Sequence, residues 1–393
     1  MGRHSGTSGF TSLASYVLRH SHQEGPVASC PSFIPTPRDG APHRGTLVLP
    51  HRQVGVYWTS TLLRRYQSFR PGEYPIPNDD IEQEREEMKH QMIKRLFDGN
   101  DYLAPIGDHP QRILDIGTGV GLWAIDVADK FPSAQVIGVD ITPIQTSCIP
   151  HNVIWRIDDI QNTTWDPPYA NLDFVHLRSV TVILSDPVGV LESTFKHLNP
   201  GGWVELQDVG SNIFCDDDTM PSNHPMLHFM DRFVNMFGPA HRCSLGIMST
   251  IHEDLERIGF THIHVRRHKM PIGAWAKDRK RREIGLFMSK HVLWQLVRAV
   301  LVKWPEMGLQ SKQEAEVLEH EIRKAFEDPG IHAYLPCYQS GVFLTPPSPA
   351  IVYRRLPTDT CEDALNGRRA AVDSGAVGGD SLHLPGSERL RAG

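Results

Sequence analysis

The chain has 393 residues, 40% of them apolar, which is enough for a sizeable core in one large or two ordinary domains. Its net charge of −6 gives the whole molecule no electrostatic pull toward nucleic acid or anionic membrane, and neither is expected as a partner. Six cysteines without a C-x-x-C pair suggest neither a disulfide framework nor a zinc knuckle, so no metal site is expected and a reducing compartment, cytoplasmic or nuclear, fits.

The start, "MGRHSGTSGFTSLASYVLRH", lacks the apolar run of a signal peptide and has Gly6 where a myristoylation motif wants Ser or Thr. Residues 1 to about 70 read as irregular, with a Pro-, Gly- and Ser-rich linker from Gly25 to Arg44. The segment "PNDDIEQEREEMKHQMIKRLFDGN" predicts a helix capped among Asn78 to Asp80 and stopped at Gly99. Ile81, Met88, Met92 and Leu96 fall on one face, and the other, charged face is expected to be wet.

From Arg112 short apolar runs alternate with helical stretches: "RILDI", "AQVIGVD", "NVIWRI", "LDFVHL" and, after a helix from about Pro187 to His197, "GGWVEL". Such alternation predicts a parallel sheet covered on both faces. "FTHIHVRRHKMPIG" reads as a sixth strand, and helices are expected over Glu283 to Val302 and Gln310 to Glu327, where they would fold over the ligand edge. The apolar stretch Ile284 to Val302 is broken by Lys290, His291, Gln295 and Arg298 and so reads as a packed helix. A last strand is expected near "IHAYLPCY", and the final residues read as a disordered tail.

The stretch "RILDIGTGVGLWAIDVA" carries the first chemistry. A dinucleotide fold wants G-x-G-x-x-G, but here Gly117, Gly119 and Gly121 alternate and Leu122 occupies the place of the third glycine. Asp115 would repel a pyrophosphate and attract an ammonium group, which disfavours NAD. S-adenosylmethionine has complementary parts: an α-amino group, a carboxylate that suits a helix N-terminus, a ribose diol and an adenine amine. Asp140, ending the second strand, suits both ribose hydroxyls, with Ile141 against the adenine, and Asp159 after the third strand suits the adenine amine. Thr118, Ile160 and Leu177 complete the candidate cofactor set. Three acids close three successive strands at intervals of 25 and 19 residues, where open parallel sheets bind ligands.

"ILDIGTGVGLWAIDVADKFPSAQVIGVDITPIQ", "WRIDDIQ", "FVHLRSV", "LNPGGWVELQD" and "MPIGAWAKD", in that order, resemble the LaeA-type class I methyltransferases of filamentous fungi, a group associated with secondary metabolism. The resemblance runs from roughly Arg64 to Leu335. It implies a Rossmann-like α/β fold with a seven-stranded sheet, the last strand antiparallel, and a helical cover over 283–327. It also implies S-adenosylmethionine at Asp115, Gly117, Gly119, Asp140 and Asp159. A methyltransferase acting on a small-molecule acceptor and a regulator acting through protein partners are both compatible with it. On this basis 1–63 forms an irregular arm with an insertion, 64–357 the methyltransferase domain and 358–393 a disordered tail. Two stretches, Gly25 to Leu63 and Gln339 to Ala350, interrupt family-like segments and are expected outside the packed core. Pro346, Pro347 and Pro349 cannot lie within a central strand, so they form a loop unless "YQSGVFL" completes the strand instead.

His176 and Arg178, at the end of the fourth strand, are the catalytic candidates, as general base and as holder of an acidic substrate. Structural roles compete: a histidine hydrogen-bonded inside the sheet edge, and an arginine paired with an acid. Glu205, Gln207 and Asp208 suit a polar pocket wall or a buried network, and Tyr66 and Tyr74 a lid or ordinary packing. "CDDDT" reads as a solvated loop, "HEDLE" as an amphipathic surface helix, and the basic run from Arg266 to Arg282 as a solvated helix start, a nuclear import signal or a partner site.

Overall fold

The computed structural model describes residues 46–48, 58–61, 64–67, 69 and 74–343. Strands β1 (Thr46–Val48), β2 (Trp58–Thr61) and β3 (Arg64–Gln67) precede helix α1 (Asp80–Leu96). The first β/α units follow as β4 (Arg112–Ile116), α2 (Leu122–Lys130), β5 (Gln135–Asp140) and β6 (Val153–Ile157). Next come β7 (Leu172–Arg178), α3 (Pro187–His197), β8 (Leu198–Val209) and β9 (Phe214–Cys215). Helix α4 (Pro225–Arg232) continues through a π-helical turn, Phe233–Phe237, and α5 (Ile251–Ile258) leads into β10 (Thr261–Pro271). Helix α6 (Arg279–Phe287) runs on through a π-helical stretch into α7 (Trp294–Leu301), before α8 (Lys312–Phe326) and β11 (Ala333–Phe343).

The main sheet has the order β1-β6-β5-β4-β7-β8-β11-β10, with β9 added on β11. Neighbours are parallel from β1 to β8, and β11 is antiparallel to both β8 and β10. The expected seven-stranded sheet with its last strand antiparallel is therefore present, widened by the short β1 and β9. Its order reverses beside β4, so the crevice at the carboxyl ends of the strands opens where the β4 loop and the end of β7 meet.

Alternation along the strands divides the core. Ile113, Val136, Phe174 and Trp203 join Trp123 in one cluster, while the next residues, Leu114, Ile137, Val175 and Val204, join a cluster on the other face. Capping residues set the helix starts: Asp79 accepts from the Glu82 amide, Asp186 from Gly189 and Ser311 from Glu314. A third apolar cluster joins α1, α4, α6, α7 and α8 into the helical cover. The run Arg279–Leu301 is long and apolar enough to cross a membrane, and 56% of its most apolar window is buried in the protein.

The structure corrects several expectations. In α1, Met92, Ile93 and Leu96 are buried as a core face, but Ile81 is 48% exposed. The charged Glu82, Arg85 and Lys89 are buried instead of wet, because the first half of the helix borders the ligand crevice and its charges pair with one another. Residues 339–343, expected outside the core, form the second half of β11. There Ser340 faces Leu206, Val342 faces Val204 and Phe343 faces Trp203, with Ser340 and Val342 fully buried. Strand β8 is twelve residues long, and a shorter β11 would leave its backbone groups unpaired. Part of the region read as irregular is also ordered: β1 extends the sheet edge beside β6, and β2 pairs with β3 in a hairpin. The rest of the expected arm and insertion, the loop with Pro346, Pro347 and Pro349, and the expected tail 358–393 lie outside the described residues. The "CDDDT" loop is tied down, with Asp216 bonded to Lys269 and to the Tyr334 hydroxyl, and Asp217 to His332.

Candidate active site

The three glycines after β4 do different work. All have positive φ (+68°, +57° and +91°), but a Cβ on Gly117 would come within 2.6 Å of Val180 and one on Gly121 within 2.5 Å of Trp155. A Cβ on Gly119 would meet nothing within 4 Å. Gly117 and Gly121 therefore let the loop pack against the protein, and Gly119 bares its backbone to the crevice. Gly121, placed in the candidate cofactor set, stands under Trp155 and not in the crevice lining.

Asp140 braces this loop from the end of β5. Its carboxylate accepts from the Gly119 amide at 2.9 Å and from the Thr142 amide at 2.9 Å, while burial pushes its pKa up to about 6. Ile141, Asp159 and Ile160 line the same cleft, which has a volume of about 250 Å³. The Asp159 carboxylate accepts from the Gln161 amide at 3.1 Å and from the Asn162 side chain at 2.7 Å. Leu177, also expected at the cofactor, is fully buried in the core with Ile116 and Val139, since alternation along β7 turns it away from its neighbours His176 and Arg178.

Asp115 and His176 face each other across β4 and β7 and share a hydrogen bond of 2.8 Å from Nδ1. The second Asp115 oxygen accepts from the Thr118 hydroxyl at 2.6 Å. His176 is fully buried and stacked on Trp123, with ring centroids 3.7 Å apart and planes 4° from parallel. Burial drives its pKa down to about 4, so the ring is neutral at pH 7 and, as donor to Asp115, carries its proton on Nδ1. Asp115, Thr118 and His176 line a small second cleft beside Gly117 and Gly119. Each Asp115 oxygen keeps a second lone pair for a cationic ligand group.

Arg178 does not present a free guanidinium to an acidic substrate. Nε donates to Gln207 at 2.7 Å, Nη2 to the Asp101 carbonyl at 2.8 Å, and Nη1 lies 3.0 Å from His90 Nδ1. Gln207 also bonds Glu205, whose carboxylate accepts the Leu103 and Ala104 amides. Of the two roles open for Glu205 and Gln207, the buried network is the one observed. It anchors the loop after α1 to β7 and β8.

The far half of the cleft is apolar. Met230, Phe233 and Phe237 enter from α4 and its continuation, Met288 and Leu293 from the π-helical stretch between α6 and α7, Leu296 from α7, and Asp208 stands at the end of β8. The α4 contribution escaped the sequence reading, although Met226, Phe229, Met230, Phe233 and Phe237 carry helical spacing that would have revealed it. One edge of the cleft is the ionic strip of α1, where Arg85 Nε donates to Glu82 at 2.8 Å and Lys89 to Glu86 at 2.7 Å. Tyr74 lines the cleft, whereas Tyr66 is buried with the Lys303 ammonium 4.8 Å from its ring centre. His90, Asp101 and Asp126 lie together with metal-ligand spacing, but Lys94 pairs with both carboxylates and Lys130 with Asp101.

A parallel sheet of this order, a bared glycine backbone and acids closing three successive strands fit the donor groups of S-adenosylmethionine and define a class I methyltransferase. The family model and the curated relatives agree. A family model described as a methyltransferase domain matches residues 88–265. The methyltransferase pytC of Aspergillus terreus is 32% identical over 69% of this chain and 83% of its own. The secondary metabolism regulator LAE1 of Gibberella fujikuroi is 31% identical over 66% and 84%. A solved phosphoethanolamine N-methyltransferase 2 of Haemonchus contortus aligns over 65% of this chain and 56% of its own, at 16% identity and a TM-score of 0.38. The chain belongs to the fungal methyltransferase family that includes pytC and LAE1. It is an S-adenosylmethionine-dependent methyltransferase of that secondary-metabolism type.

Proposed function

We propose that the methyl acceptor is a small, largely apolar molecule. The observation that carries this reading is the far half of the cleft, where Met230, Phe233, Phe237, Met288 and Leu293 form a chamber under the helical cover. Such a chamber suits a compact apolar body and excludes water from the reacting atoms. The sheet edge and α1 serve the cofactor: Asp140 for the ribose diol, Asp159 with Ile141 and Ile160 for the adenine, and the Gly117–Gly119 backbone with Asp115 for the methionine end. When bound, S-adenosylmethionine supplies an electrophilic methyl group on a sulfonium. His176 is a positioning residue for Asp115 in this scheme, and Arg178 holds the wall of the site together. Methyl transfer is an in-line displacement, so alignment in a closed chamber supplies most of the acceleration.

A cytoplasmic or nuclear location fits the cysteines, since Cys148, Cys215, Cys243 and Cys337 are free thiols. Localising a tagged full-length chain tests it. The acceptor reading is tested by incubating purified protein with methyl-labelled cofactor and either fungal metabolite extract or peptides and proteins. Label is expected in the small-molecule fraction, and label confined to protein overturns the proposal.

A further inference from the structure

Among the described residues several buried carboxylates stand at or near the crevice, and most of them are held by charged or multiple partners. Asp115 receives His176 and Thr118, Glu205 receives two backbone amides and Gln207, and Glu82 is bonded by the Arg85 guanidinium. Glu82 Oε2 also lacks a hydrogen-bond partner, but Glu82 is held in an ion pair with Arg85, whereas Asp208 has no ion pair among the described residues. It is fully buried at the end of β8 and lines the cleft, and the Thr181 amide donates to its Oδ2 over a long 3.2 Å. Its Oδ1 is buried without a hydrogen-bond partner among the described residues. An unpartnered buried acceptor is destabilising, a penalty that a ligand hydroxyl donating to it would remove.

We infer that Asp208 is the general base for an acceptor hydroxyl, so that the enzyme O-methylates a largely apolar phenol or enol. The inference rests on the small-molecule reading above and adds the acceptor atom. The acceptor oxygen forms a bond to the methyl carbon, the carbon–sulfur bond breaks with its electron pair left on sulfur, and the hydroxyl proton passes to Asp208 Oδ1. Proton and charge balance, because the sulfonium and the carboxylate are both neutralised. Burial pushes the Asp208 carboxyl up to about 7, the range in which a base is both ionised and able to take a proton. Lys89 from α1 favours the carboxylate, while Cys337 from β11 stays a neutral thiol, its pKa pushed up to about 12. Tyr338 is the register partner of Asp208 on β11, and Arg178, on β7, acts on Cys337.

The test uses the full chain, wild type and Asp208→Asn, with 2-naphthol and 4-hydroxycoumarin as phenol and enol probes and their methyl ethers as controls. The wild type loaded with S-adenosylhomocysteine is expected to bind the hydroxyl forms at least about tenfold more tightly than the ethers, as one charge-assisted hydrogen bond allows. Asp208→Asn should lose that preference, lower turnover by about 10²-fold or more, and keep its cofactor affinity. An unchanged preference and turnover in the variant removes Asp208 and leaves the small-molecule reading intact. Wild-type transfer to small amines and to no hydroxyl probe also overturns the inference, and label only in added protein overturns both readings. Should the variant fail to bind cofactor, the wild-type kcat decides: it should rise with pH through about 7, and a flat profile sinks the proposal.

Discussion

The two halves of the crevice are built in different ways. On the cofactor side, Asp115, Gly117, Gly119, Asp140 and Asp159 come from consecutive β/α units, and each is held by neighbours close in sequence: Thr118 for Asp115, Thr142 for Asp140, Gln161 and Asn162 for Asp159. On the acceptor side, Asp208, Met230, Phe237, Met288 and Leu293 come from four elements spread over almost ninety residues of chain. The first half is set by local turns and strand ends and suits a fixed ligand. The second is set by how the cover packs, so it can change shape with core substitutions while the cofactor half stays as it is.

That contrast can be broken most directly at Asp140. Asp140→Ala removes the carboxylate that holds the Gly119 and Thr142 amides and also suits the ribose. Cofactor affinity should fall by about 10²-fold or more in calorimetry, since each charge-assisted bond is worth up to ~3 kcal/mol. Equal affinity would remove the assignment of this half.

The glycines sharpen the point. Gly117→Ala meets Val180 and should cost about 3 kcal/mol of stability in denaturant unfolding. Gly119→Ala meets nothing and should cost only the ~1–2 kcal/mol of a left-handed backbone, with the larger loss in cofactor affinity. Similar stability losses at both positions would mean that the bared backbone at Gly119 is not a ligand surface.

Acid titration examines the link between the halves. The His176 pKa is lowered from 6.5 to about 4 in the folded protein, so the unfolded chain binds the extra proton between those values. Stability from this group is complete above pH 6.5 and is lost as pH falls toward 4, on the order of 2 kcal/mol by pH 4.5. The difference in Tm between wild type and His176→Asn should therefore shrink on acidification, and a constant difference would show that the buried ring does not titrate. The opposite sign holds at Asp208, whose raised pKa makes its ionised form unfavourable in the fold. Asp208→Asn should gain Tm relative to wild type between pH 5 and pH 8. The smallest effect is expected at Leu296 in the cover, where Leu296→Ala should raise the acceptor KM about fivefold through lost apolar contact and leave cofactor affinity unchanged.

Much of the fold was legible because strand and helix periods are local. The helix Pro187–His197 and the five strands from "RILDI" to "GGWVEL" lie where alternation and capping residues put them. The meeting of Asp115, Asp140 and Asp159 at the clefts was legible for a related reason, since a parallel sheet brings every strand end to one crevice. Leu177 and Gly121 were misassigned because sequence position says that a residue is near a strand end and not which way it faces.

By itself the sequence determined the order of β and α units, the glycine turn and the three acids at strand ends, all of which follow from spacing within a few tens of residues. Only the tertiary structure decided that His176 is stacked on Trp123 and tied to Asp115, that the charges of α1 are buried, that residues 339–343 complete β11, and that Asp208 is buried with one oxygen unpartnered and no ion pair among the described residues. Each of these depends on which distant groups share a burial site. Removal from water makes partnered charges neutralise one another and leaves an unpartnered one reactive, and no local pattern of residues specifies that pairing.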